Sequence, residues 1–112
     1  MRSESFGRLL KGAIGSIAHY EGKTAPVIEE ELGSKTLTSG ASIQRYKAGH
    51  IPPDARSIEI LAEAAVKRGY LNREWLQSFL HAARYPAPDK LVDQLCPVGP
   101  TRQRPPRIYE NL

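Results

Sequence analysis

Apolar residues recur along this chain at three- and four-residue intervals, and that spacing predicts helices from end to end. From Ser5 to Tyr20, the residues Phe6, Leu9, Leu10, Ala13, Ile14 and Ile17 fall on one stripe of an amphipathic helix. Ser3 or Ser5 is placed to cap it, with Glu4 near the positive end of the helix dipole. Gly7, Gly12 and Gly15 each lower its intrinsic propensity by up to ~1 kcal/mol, so burial has to compensate. Glu21-Gly22-Lys23 ends the element. Thr24 then reads as an N-cap and Pro26 sits in a first turn, where its missing N–H costs nothing. Val27, Ile28, Glu31 and Leu32 continue a second helix, which Gly33 is expected to stop.

Ser34 to Thr38 reads as a polar connector. Ser39 caps a short third helix whose inward positions are Ile43 and Tyr46, with Gly49 closing it. Ile51-Pro52-Pro53 forces extended backbone. After it, Asp54 caps a fourth helix burying Ile58, Ile60, Leu61, Ala64 and Ala65, with Lys67, Arg68 and Gly69 as stop signals. Asn72 opens a fifth helix carrying Trp75, Leu76, Phe79, Leu80 and Ala83. Pro86 and Pro88 interrupt the chain, and a last short helix runs from Asp89 to Leu95. From Cys96 onward, four prolines and few apolar residues predict an extended tail. No alternating strand pattern competes. The expected fold is all-α: an orthogonal bundle of five to six helices over residues 1–85, with a short helix and Pro-rich tail over 86–112.

Composition narrows the function. The 112 residues make one domain with one modest core. No run approaches the ~18 apolar residues of a membrane span, and the N-terminus is too polar for a secretory signal. A lone cysteine, Cys96, excludes an internal disulfide and fits a reducing compartment, so a cytoplasmic location is expected. His19, His50, His81 and Cys96 lack metal-ligand spacing, the scattered glycines form no phosphate loop, and Glu29-Glu30-Glu31 reads as a solvated charge run. Neither an enzyme nor a cofactor is expected. The net charge of +4 is compatible with an anionic partner, but residues 1–85 carry only 12 Lys and Arg against 9 Asp and Glu.

The segment Ser39 to Gly49, SGASIQRYKAG, resembles the recognition helix of Cro/XRE-like helix-turn-helix domains in its residues Ser39, Ser42, Ile43, Arg45, Tyr46 and Gly49. Thr24, Ile28, Leu32 and Gly33 resemble that family's second helix, and Pro53-Asp54 with Ile58 and Leu61-Ala62 the start of its fourth. The resemblance spans roughly Phe6 to Ala83. It implies binding of double-stranded DNA, with the third helix in a major groove. On that reading Arg45 reads guanine and Gln44 adenine, while Lys35, Thr36, Thr38, Ser39, Ser42, Lys47 and His50 contact phosphates.

This chain departs from the family pattern in several places. The turn after Gly33 reads about four residues longer. Ala25 stands where a phosphate-binding glutamine is common, and Glu29 where a small alanine is usual. Gly40 and Ala41 occupy positions that often contact bases.

Arg107-Ile108-Tyr109-Glu110-Asn111-Leu112 resembles the linker that joins N-terminal helix-turn-helix domains to the nucleotide-binding module of bacterial NACHT/NB-ARC-type signalling ATPases. That implies a regulatory N-terminal domain of a larger protein. A second reading stays open: a protein-interaction module, death-fold-like or autoinhibitory, with no DNA binding.

Overall fold

A computed structural model describes residues 3–96. The proline-rich tail and the linker-like Arg107–Leu112 lie outside the described residues. The described part is all-helical, with six helices: α1 (Glu4–Glu21), α2 (Ala25–Lys35), α3 (Gly40–Lys47), α4 (Ala55–Gly69), α5 (Arg73–Ala82) and α6 (Pro88–Leu95). No helix among the described residues is long and apolar enough to cross a membrane.

Local chemistry starts most of these helices where the sequence signals them. Ser3 caps α1, its Oγ accepting from the Phe6 N–H at 3.2 Å. Asp54 accepts from the Ser57 N–H at 2.9 Å, and Asn72 from the Trp75 N–H at 2.8 Å. Each satisfies an amide that the first helical turn leaves without a partner. Thr24 stands at the N-cap of α2 but makes no side-chain cap bond, and Pro26 supplies the start signal there.

α1 is the central element and packs against α2, α3, α4 and α5. Phe6, Leu10, Ile14 and Ile17 bury its stripe against Ile28, Leu32, Ile43, Leu61, Leu76, Phe79 and Leu80, all of which are almost fully enclosed. Three rings extend this core toward the surface. Phe6 stacks on Phe79 with centroids 4.9 Å apart, and Phe79 on Trp75 at 4.7 Å. The half-buried Trp75 indole donates to the Leu9 carbonyl at 3.3 Å. Ile60, expected in the core, is only partly covered and lines a shallow surface hollow with Lys35 and Lys67.

Two elements, α2 and α6, depart from the expected outline. α2 does not stop at Gly33 but runs on to Lys35, where Thr36 takes over the capping. α6 belongs to the same core: Val92 is fully buried and Leu91 nearly so. Arg73 of α5 secures it, donating to the Cys96 carbonyl at 2.7 Å and to Asp93 at 2.9 Å. The acidic run of α2 is solvated only in part: Glu30 is exposed, Glu29 is buried and Glu31 half-buried. Glu31 joins Arg68 and Lys23, Arg68 also holds Glu21 through two bonds of 2.7 and 2.8 Å, and the cluster ties the ends of α1 and α4 to α2.

Candidate nucleic-acid interface

The α2–turn–α3 unit carries every residue of the predicted interface except His50, which follows it. Its joint is closed by backbone contact. A Cβ on Gly33 would lie 2.4 Å from the Ser39 carbonyl carbon and 2.6 Å from its oxygen, so only glycine lets α2 meet the start of α3. Between them, Leu37 N–H donates to Ser34 O at 3.1 Å and Thr38 N–H to Gly33 O at 2.7 Å. Leu37 adopts a left-handed φ of 60° and is 92% exposed.

The turn consumes some of the predicted contacts. Thr36 is buried, and its hydroxyl donates to the Leu32 carbonyl at 2.9 Å as a C-terminal cap. The Thr38 hydroxyl lies 2.8 Å from that of Thr36. Ser39 caps α3, its Oγ accepting from the Ser42 N–H at 3.4 Å. These three side chains set the angle at which α3 leaves α2, because each satisfies backbone groups at a helix end.

On α3, Ile43 and Tyr46 are buried as the spacing predicts, and Ala41, Gln44, Arg45 and Ala48 are exposed. Gly40, expected at the surface, is instead buried: a Cβ there would come within 2.5 Å of Glu30 Oε2. Arg45 is the cation that projects most freely from this helix, bonded among the described residues only to the Ser42 hydroxyl at 3.3 Å. Lys35 is exposed at the end of α2, and His50 is exposed just beyond α3, its N–H donating to the Arg45 carbonyl at 3.1 Å.

Gln44 and Lys47 are held differently. Both donate to Glu29 of α2, Gln44 Nε2 to Oε1 at 2.7 Å and Lys47 Nζ to Oε2 at 2.5 Å. Glu29 is only 3% exposed. A carboxylate removed from water in this way is tolerable only when paired and hydrogen-bonded, and here both oxygens are engaged. Two predicted DNA contacts therefore fasten α3 to α2 in the unbound protein.

Sequence reasoning missed Glu29 as the organiser of the joint. A signal was present, because Glu29 stands where the resembled family usually has a small alanine. One face of α2 carries Ile28, Glu29, Leu32 and Gly33 together. No group of His, Cys, Asp or Glu that could hold a metal ion occurs among the described residues. No family model, curated protein or solved structure matches the chain.

Proposed function

We propose that this chain is a DNA-binding helix-turn-helix module that presents α3 to a major groove. The observation that carries the reading is Arg45. It stands exposed on a helix whose opposite face is pinned by Ile43 and Tyr46. Its neighbours Ala41, Ser42 and Ala48 are small, so they leave room for close approach to base edges. A guanidinium can bond guanine O6 and N7 together. Lys35, Ser42 and His50 flank it as phosphate contacts, and Ser39, whose Oγ accepts at the cap, keeps its hydroxyl proton to donate. Gln44 and Lys47 serve this reading chiefly through Glu29, by holding α3 at its angle; Gln44 keeps a base-reading role only where Glu29 releases it.

With so few cations on this face, affinity for a random duplex should be ordinary non-specific binding, roughly 10⁻⁴–10⁻⁶ M at physiological salt. Selection from a random duplex pool, followed by anisotropy titrations near 50 mM salt where screening is weak, tests the proposal. An enriched site is expected, with Arg45→Ala weakening it by ~1–3 kcal/mol and relaxing preference at one position. A protein that binds no duplex even at low salt would end this reading.

One observation favours a second reading, protein contact. Leu37 is a large apolar side chain held almost fully in solvent at the tip of the turn. Should the protein fail to bind duplex yet self-associate through a surface that Leu37→Ser abolishes, the helix-turn-helix would be a protein-docking device.

A further inference from the structure

A cleft of about 690 Å³ opens on the side of the bundle where the first turns of α1, the segment after α3 and the end of α5 meet. Arg8, His81 and Arg84 line it together with the hydroxyls of Ser5 and Ser78, and Leu9 and Ile51 form an apolar part of its wall. No carboxylate lines it among the described residues. The charge is uncompensated there: Arg56, Arg68 and Arg73 each take a carboxylate partner, whereas Arg8 and Arg84 take none among the described residues. Asp54 lines an adjoining hollow that shares Arg84 and Ile51, but it forms no ion pair with Arg84 among the described residues.

We propose that this cleft binds a small organic phosphate, independently of any contact that α3 makes with DNA. Its volume lies within the range of small-molecule sites and exceeds what a bare anion needs. Two guanidinium groups, an imidazole and serine hydroxyls offer more donors than the two oxygens of a carboxylate can use. The several oxygens of a phosphate ester match them, and arginine forks bond phosphate in pairs. The first turn of α1 adds its positive dipole end at Ser5. Leu9 and Ile51 then cover the carbon skeleton of the ester. Ile51 lies two residues beyond Gly49, whose carbonyl accepts from the Ser3 N–H at 2.7 Å, so the cleft adjoins the chain that leaves α3.

Amide chemical shifts during titration with pyrophosphate, the probe for the phosphate end of the ligand, test the assignment. Shifts are expected to concentrate at Ser5, Arg8, His81 and Arg84. Arg8→Gln and Arg84→Gln, both at exposed positions, should together weaken binding roughly tenfold, as loss of two charge-assisted contacts implies. Arg56→Gln, in a separate hollow beside Leu91 and Leu95 of α6, should change nothing. The proposal is overturned by shifts spread evenly over all cationic surfaces, by acetate binding as tightly as pyrophosphate, or by equal weakening in Arg56→Gln. Displacement of pyrophosphate by a short DNA duplex would also overturn it, since the cleft would then hold backbone phosphates.

Discussion

Lys47 of α3 donates to the buried Glu29 of α2 at 2.5 Å, and this pair, with Gln44, locks the two helices of the α2–turn–α3 unit together. Removing Lys47 leaves the enclosed Glu29 carboxylate with the neutral Gln44 amide but no countercharge, which is costlier than removing both charges. Lys47→Met should therefore lower stability by about 2 kcal/mol or more, while Glu29→Leu combined with Lys47→Met should recover part of the loss. Urea melts of the three proteins check this. A neutral Lys47→Met would mean that water reaches the carboxylate.

Glycines in this chain divide by what surrounds them. A Cβ at Gly33 meets the Ser39 backbone, and one at Gly7 comes within 2.5 Å of the Lys47 carbonyl, so neither neighbour can yield as a flexible side chain would. Gly33→Ala and Gly7→Ala should each cost ~1–3 kcal/mol, the range for overpacking, or more. Around Gly12 and Gly15 nothing lies within 4 Å. There the helix propensity of alanine acts alone, and each substitution should raise stability by up to ~1 kcal/mol. Opposite shifts in melting temperature for Gly12→Ala and Gly33→Ala are the expected result.

Leu37 combines a φ of 60° with nearly complete exposure. Its side chain contributes almost no burial, and the left-handed region costs a residue with a Cβ roughly 1–2 kcal/mol. Glycine relieves that strain but adds freedom to the unfolded chain, worth ~0.5–1 kcal/mol against folding. Leu37→Gly should leave stability unchanged or raise it by up to ~1 kcal/mol. A clear loss in thermal unfolding would show that Leu37 packs on something in solution.

Two ionisable groups give stability a dependence on pH at its acid and alkaline ends. Arg68 beside Glu21 holds that carboxyl down at about 2 from an ordinary 4.5. A depressed carboxylate adds stability above its unfolded pKa, and the contribution fades as pH falls from 4.5 toward 2. At the alkaline end, Tyr85 donates to Glu59 at 2.6 Å, and this bond, helped by burial, pushes its phenol from 10.0 up to about 12. Its contribution is complete below pH 10 and is lost as pH rises through 12. Glu21→Gln should flatten the acid limb of stability against pH, and Tyr85→Phe the alkaline limb. Unchanged limbs would dissociate these pairs from folding.

Helix identity was legible from order and spacing because the controlling forces are local. The stripe Phe6, Leu10, Ile14, Ile17 needs only a 3.6-residue period to be read, and the caps Ser3, Asp54 and Asn72 act within three residues of themselves. The inward positions Ile43 and Tyr46 and the exposed Arg45 of the candidate interface followed from the same period. What the tertiary structure alone decided concerns groups that meet across the chain. Gly33 reads as a stop signal until Ser39 is brought against it, and Glu29 reads as one of three solvated acids until Gln44 and Lys47 approach from fifteen and eighteen residues away. Thr36 reads as a polar contact until its hydroxyl turns back to cap α2. Arg8, His81 and Arg84 share no spacing that would join them, and only the packing of α1 against α5 sets them around one cleft. Hydrophobic periodicity specifies which face of each helix turns inward, but it is silent on which polar groups meet when those faces dock, because pairing depends on distances that no local pattern encodes.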